Sequence, residues 1–218
     1  MSVDIEYCDK CVTKEEILKK SEELKLWYDN QANEKWTPMS YNNPEITLTE
    51  LPQVDYKNFI MSRCTFKADA AKVFEFLKTS TFEQQKVYDT DLLAFEKSEV
   101  FPEDGCEVSR VCYKAPWPVT SREFVSVQNY FEKDGAYYFL QESINYPTKW
   151  NEANKNFVRG YKKSGLKMLP KGDHVDVWRI VVLDPRGSIP GWVVSVAKKD
   201  DAGRLFAMKT YFEKTFPQ

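Results

Sequence analysis

The stretch that decides the fold is VCYKAPWPVTSREFVSVQ, residues 111–128. Two segments with the alternation of β-strands flank a loop in which prolines stand on either side of Trp117. Proline restricts the conformations of a loop, so less entropy is lost when that loop docks on another surface. The stretch predicts two neighbouring strands joined by a stiffened loop that presents one large amphipathic ring.

Further strands are predicted on both sides of this stretch. Aromatic and β-branched residues fill segments separated by short Gly-, Pro- or Asp-containing connections, which is typical of antiparallel strands. The predicted strands are 92–101, 106–114, 122–133, 136–144, 156–169 and 174–183. Residues 36–66 also indicate strands broken by turns, with NFIMSRCTF as the clearest.

Helices are predicted before, between and after these strands. Thr13 and Glu16 form a capping-box pattern, Asp69 is a candidate N-cap, and Ser80 and Glu83 repeat the capping box. The helices expected from these signals cover about residues 14–29, a stretch after 69, and 81–87. Together with the strands they predict an α+β protein.

A terminal amphipathic helix is predicted to open at residues 188–190, with Ser188 as its cap and Pro190 in its first turn. Its apolar positions form two stripes that point in different directions at about 100° per residue. The stripes are Ile189, Trp192, Val193 and Val196, then Leu205, Met208, Phe212 and Phe216. A kink or break near residues 200–203 would reconcile them.

The two central strands have mixed faces, because neither has a purely aliphatic side. In residues 106–114 one side reads Glu107, Ser109, Val111 and Tyr113, and in 122–130 one side reads Arg122, Phe124, Ser126, Gln128 and Tyr130. Such a mixture suits a cavity that receives an amphipathic ligand. The alternative is that these polar atoms lie outside or hydrogen-bond to one another.

Composition excludes several classes of protein. The 218 residues carry 31 basic and 33 acidic side chains, which offers no electrostatic case for nucleic-acid binding. Residues 151–218 carry 13 basic and 7 acidic side chains, a net charge of +6 that favours an anionic surface or is simply a solvated set of charges. The start of the chain resembles no export signal, and the five cysteines are odd in number, so a cytoplasmic location is expected.

The sequence offers little for catalysis or metal binding. The single histidine, His174, is expected in an exposed turn, and no nucleophile elbow or phosphate-binding loop occurs. Cys8 and Cys11 have the spacing of half a zinc site, but no second close pair accompanies them. We expect a protein that is not an enzyme and uses no cofactor or metal.

The order of elements, together with residues 111–128 and GSIPGWVV at 187–194, resembles the START (steroidogenic acute regulatory protein-related lipid transfer) domain family, nearest to its phosphatidylcholine-carrying members. The resemblance covers residues 14–218 and leaves 1–13 as a tail. It implies a helix-grip fold, in which a curved antiparallel sheet and the C-terminal helix enclose a hydrophobic tunnel that holds one lipid.

The resemblance also implies site residues. The candidate lipid contacts are Lys86, Val111, Tyr113, Phe124, Ser126, Gln128, Trp192, Val196 and Met208. The candidate membrane contacts or gate are Pro116, Trp117, Pro118 and Gly203. Transient contact with a membrane and a monomeric state are expected.

The head group of the lipid is less defined. Phosphatidylcholine carriers hold the phosphate with an arginine before a Trp-Asp pair, whereas QKVYD stands here at residues 85–89, with Gln85 at the nominal position and Lys86 beside it. The arginine of sterol carriers near Gln128 is also missing. Phospholipid transfer is the favoured function, with sterol, ceramide and fatty acid open as ligands. A lipid sensor acting through a protein partner, or a helix-grip enzyme such as a hydrolase or cyclase, is the alternative.

Overall fold

The computed structural model describes residues 8–51, 58–150, 155–187 and 189–218, and within them the chain forms ten strands and five α-helices. The helices are α1 (Lys14–Asn30), α2 (Ala70–Thr79), α3 (Phe82–Lys86), α4 (Pro147–Trp150) and α5 (Gly191–Thr215). The strands are β1 (Thr37–Met39), β2 (Thr47–Leu51), β3 (Asn58–Phe66), β4 (Leu92–Phe101), β5 (Cys106–Tyr113), β6 (Arg122–Lys133), β7 (Ala136–Ser143), β8 (Val158–Arg159), β9 (Tyr161–Lys171) and β10 (His174–Asp184).

The strands form one curved sheet in the order β1-β2-β3-β10-β9-β7-β6-β5-β4. Neighbours along this path are antiparallel, whereas the two-residue β8 runs parallel to β6. The predicted α+β class and antiparallel sheet are therefore confirmed. None of the described helices is both long enough and apolar enough to cross a bilayer.

Different helices cover the two faces of the sheet. Helix α1 packs on the convex face and buries Ile17, Leu24 and Tyr28 there. Helices α2 and α5 cover the concave face, where Leu205 and Phe212 of α5 are fully buried. Because successive strand residues face opposite sides, the concave face receives alternate residues of every central strand.

The predicted helix starts are partly confirmed. Thr13 and Glu16 form the capping box of α1, and the Asp69 carboxylate accepts from the backbone of α2. The capping box of α3 lies one residue later than predicted, on Thr81 and Gln84. Ser80 is instead buried, and its hydroxyl accepts a hydrogen bond from the Gln85 side chain.

The predicted start and break of the terminal helix are wrong. Pro190 occupies the N-cap position of α5, so it precedes the first turn; the proposed cap Ser188 lies outside the described residues. The helix is continuous through residues 200–203. No break is needed, because the first apolar stripe is only partly buried: Trp192 and Val196 are 54% and 39% exposed, whereas Val193 is buried.

Two other boundaries differ from prediction. The strand expected over 156–169 is divided at Gly160 into β8 and β9. A Cβ at Gly160 would lie 2.5 Å from the Phe124 ring, so the division occurs where the backbone runs against a buried side chain. Of the predicted N-terminal tail the structure describes residues 8–13, and there the Cys11 amide donates to the Asn145 carbonyl at 3.0 Å.

Substitution of Gly165 in β9 tests how α1 packs on the sheet. A Cβ there would lie 2.2 Å from Cδ2 of Tyr28 and 2.7 Å from Cδ2 of Leu140, and both side chains are buried. We expect Gly165→Ala to lower the free energy of unfolding by about 1–3 kcal/mol in urea titrations, because a close-packed core tolerates added volume poorly. Gly191→Ala is the control, since an added Cβ there meets nothing within 4 Å. Equal midpoints for the two variants would contradict the packing described for α1.

Candidate functional site

Two adjoining cavities lie between the concave face and α5. The larger, of about 270 Å³, is bounded by the proline loop after β5 and by the first half of α5. Its apolar walls include Ile60, Phe124, Val181, Leu183 and Val193. The smaller, of about 70 Å³, lies against Tyr88, Val111, Leu166 and Met208.

Three residues line both cavities: Tyr113, Lys162 and Arg204. The Arg204 guanidinium lies 4.7 Å and the Lys162 ammonium 5.6 Å from the centroid of the Tyr113 ring. Both cations are thus positioned to interact with the π-electrons of that ring. The passage between the cavities is therefore polar and cationic, although most of the surrounding wall is apolar.

An ion pair joins the sheet to α5 beside this passage. Arg179 of β10 donates to both carboxylate oxygens of Asp201 at 2.8–3.2 Å; Asp201 is buried and the Arg179 side chain is 11% exposed. Burial opposes ionisation of Asp201, but Arg179 holds the pKa of that carboxyl below its ordinary value. The pair fixes α5 on the sheet at the point where sequence analysis expected a break.

A second ion pair tethers α5 to the segment between α3 and β4. Arg204 Nε lies 3.3 Å from Asp89 Oδ1, and its Nη2 lies 3.4 Å from Asp91 Oδ2. Burial would lower the pKa of Arg204, yet Tyr113 and Asp89 raise it above its ordinary value. Arg204 is therefore positively charged, and Asp89 and Asp91 compensate its charge.

Lys162 of β9 differs from both arginines. Its side chain lines both cavities and the residue is 8% exposed, but none of the described carboxylates lies within ion-pair distance of Nζ. Burial, reinforced by Arg179, lowers the pKa of Lys162 to about 7. This is a buried cation without a counter-ion in the described part of the chain.

The mouth of the larger cavity is held by Arg122 of β6. Its Nε donates to the Pro185 carbonyl and its Nη2 to the Arg186 carbonyl, both at 2.9 Å, and its Nη1 donates to the Thr120 carbonyl. Burial lowers the pKa of this guanidinium. One side chain thereby connects the proline loop to the segment that leads into α5.

Exposed apolar side chains flank the same mouth. Trp117 is 89% exposed, while the adjacent Pro116 contributes to the cavity wall. Trp192 and Val196 point outward from the first half of α5, next to the lining residues Val193 and Ala197. The entrance thus carries a solvent-facing apolar rim.

The structure brings together only some of the predicted lipid contacts. Val111, Tyr113, Gln128 and Met208 line the smaller cavity, and Tyr113 and Phe124 line the larger one. Gln128 Oε1 also lies 2.8 Å from the Tyr130 hydroxyl. Val111 and Tyr113 share one face of β5, and Phe124 and Gln128 share one face of β6, because side chains alternate along a strand.

Four predicted contacts do not line either of these cavities. Ser126 is buried in β6, whereas Trp192 and Val196 face solvent. Lys86 is engaged locally, because its ammonium donates to the carbonyls of Thr90 and Leu92. Among the predicted gate residues, Pro118 is exposed in the loop, and Gly203 lies within α5 near the Tyr41 hydroxyl.

Sequence reasoning missed the charged residues that dominate the passage. Arg179 was detectable, because it interrupts the apolar set Val177 and Val181 on the same strand face. Lys162 lacked a comparable signal, since it stands next to Lys163 at the start of β9. Which lysine faces inward depends on the register of β9 with its neighbours.

The comparisons with known proteins rest on structure alone, because the sequence matches no family model and no curated protein. Human StAR-related lipid transfer protein 5 superimposes with a TM-score of 0.81 at 16% identity, over 93% of this chain and 99% of that one. The chain has the START helix-grip fold. A STAR-related lipid transfer protein from Xanthomonas axonopodis shares this START fold with a TM-score of 0.67 at 22% identity, over 83% of this chain and 99% of that one.

The START helix-grip fold also includes an enzyme. The Zhui aromatase/cyclase from Streptomyces sp. R1128 superimposes with a TM-score of 0.53 at 11% identity, over 72% of this chain and 95% of that one. The fold by itself therefore does not decide between carrier and catalyst. The described residues that line the two cavities include no histidine, cysteine, serine or threonine.

Proposed function

We propose that the protein binds a single lipid, of the phospholipid class, between its sheet and α5 and transfers it between membranes without covalent chemistry. The observation that carries this proposal is the apolar cavity that opens beside the exposed Trp117. The START fold supports it, because structural neighbours with that fold are named as lipid transfer proteins. Burial of acyl chains at about 25 cal/mol per Å² supplies the binding energy.

Lipid entry requires the cavity to widen. The larger cavity, about 270 Å³, is small beside typical ligand sites of about 300–1,000 Å³. The first half of α5 is the element suited to move, because its Trp192 and Val196 side chains are exposed. The second half is anchored by the buried side chains of Leu205 and Phe212. In this proposal the Arg122 hydrogen bonds open together with that segment.

The apolar rim is proposed as the membrane contact. Trp117 and Trp192 are amphipathic rings of the kind that settle at a membrane interface. Lys114 lies in the wall of the same cavity and adds positive charge near the rim. Docking by this rim would direct the open cavity toward the lipid surface.

Trp117→Ala tests the rim. We expect the variant to transfer fluorescent phospholipid between vesicles roughly tenfold more slowly, because it loses most of one interfacial side chain. Its free energy of unfolding should not change, since the ring is 89% exposed. Leu26→Ala is the matched control, because Leu26 is 65% exposed on α1, which covers the opposite face of the sheet. Transfer rates equal to wild type in both variants would remove Trp117 from the mechanism.

A further inference from the structure

Two of the three cations beside the passage between the two cavities are already paired with carboxylates. Arg179 is paired with Asp201, and Arg204 is paired with Asp89 and Asp91. Lys162 is the remaining buried cation, with no carboxylate within 4.0 Å among the described residues. A buried charge without a partner is costly to the protein, so its retention calls for a partner that arrives with the ligand.

The charged groups that act on Lys162 are already engaged in ion pairs, and Asp200 of α5 also lines the larger cavity. Arg179 of β10 lowers the pKa of Lys162 and Asp201 of α5 raises it, while Arg204 of α5 lowers it and Asp89 raises it. These opposed effects belong to ion pairs whose members compensate each other. An additional negative charge in the passage would therefore be stabilised chiefly by Lys162.

A quaternary ammonium group is poorly suited to the same place. Such groups bind to the faces of aromatic rings. The ring of Tyr113 already has Arg204 at 4.7 Å and Lys162 at 5.6 Å. A choline group at this ring would meet two like charges.

We propose that the ligand is a lipid with an anionic head group, a phosphate monoester or a carboxylate, whose oxygens pair with Lys162 in the passage between the two cavities. This inference rests on the proposed lipid binding: a phosphate monoester would narrow the phospholipid class, whereas a carboxylate would replace it with a fatty acid. The acyl chain lies along Phe124, Val181 and Val193 in the larger cavity. The ion pair is charge-assisted and shielded from water, so it also selects against zwitterionic lipids.

The test uses monomeric single-chain lipids, so that vesicle charge does not contribute. Binding of 1-oleoyl lysophosphatidic acid, oleate, oleoyl lysophosphatidylcholine and oleyl alcohol to the full chain is measured by calorimetry below their critical micelle concentrations. We expect one or both acids to bind about tenfold or more tightly than the other two lipids. The order of the two acids distinguishes phosphate from carboxylate as the source of the charge.

Two variants assign the preference to Lys162. Lys162→Met should weaken binding of the acids about tenfold or more and leave oleyl alcohol unchanged, whereas Lys162→Arg should retain the preference. Lys163→Met is the matched control: it removes the neighbouring cation of β9, which lines neither cavity and pairs with Glu142 at 2.9 Å. It should keep the preference of the wild type.

A pH series supplies a second readout. Acid binding to the wild type should weaken as the pH rises above about 7, because the free protein then binds the anion only after taking up a proton at Lys162. Lys162→Met should lack this dependence. Failure of all four lipids to bind would overturn the proposed function and this inference with it; binding without preference, or a preference that survives in Lys162→Met, would overturn the inference alone.

Discussion

Glu123→Gln should lower the free energy of unfolding by about 3–5 kcal/mol, because it removes the buried carboxylate that two guanidinium groups share. Glu123 of β6 is fully buried on the convex face. Its Oε2 lies 2.8 Å from Arg110 of β5, and its Oε1 lies 2.9 Å from Arg159 of β8. Gln fills the same space but cannot neutralise either arginine.

Urea denaturation of the wild type and of Glu123→Gln measures this loss of stability. Glu96→Gln is the matched control, because Glu96 also pairs with Arg110 at 2.8 Å but has a half-exposed side chain. It should change stability by less than about 1 kcal/mol, as exposed ion pairs do. If Glu123→Gln were no more destabilising than Glu96→Gln, the ion-pair network would not hold β8 against β6.

Lys162→Met should raise the free energy of unfolding of the lipid-free protein by roughly 2–4 kcal/mol at pH 7. The variant keeps an unbranched apolar chain of similar length and removes a cation that the fold buries without a partner. A gain in stability accompanied by loss of anionic-lipid binding is the pattern expected of a functional residue in a destabilised site. A loss of stability would instead show that the ammonium has a partner in the folded protein.

The lowered pKa of Lys162 also predicts how the stability difference between Lys162→Met and wild type changes with pH. The pKa of Lys162 is lowered from 10.5 in its ordinary state to about 7 in the fold, so the unfolded chain binds more protons between these values. Lys162 therefore destabilises the folded protein to its full extent below about pH 7, and this destabilisation disappears as the pH rises toward 10.5. The difference between Lys162→Met and wild type should narrow from pH 7 to pH 9.5. Other groups titrate in both proteins and largely cancel in the difference.

Local patterns in the sequence predicted most of the architecture. The strand boundaries from 92 to 144 differ from prediction by at most one residue at either end, because alternation and short turns are local properties. The capping box at Thr13 and the Asp69 cap of α2 were confirmed for the same reason. The break expected in the last helix was wrong, because it assumed that every apolar stripe must be buried.

The candidate site depended on contacts between distant segments. The pairing of Arg179 with Asp201 joins residues 22 positions apart, and that of Arg204 with Asp91 joins residues 113 positions apart. Lys86 was predicted as a head-group contact from its place in a short motif, but its ammonium donates to nearby carbonyls instead. Lys162 was overlooked, although it lines both cavities.

The sequence by itself determined the antiparallel strands from 92 to 144, the starts of α1 and α2 and the stiffened loop around Trp117, since each is set by periodicity, caps and prolines along the chain. Only the tertiary structure decided which charges are compensated within the cavity and which are not. The physical reason is that a side chain's charge balance depends on the groups packed around it. For Lys162 those groups come from β10, from α5 and from the segment before β4, and folding alone brings them together.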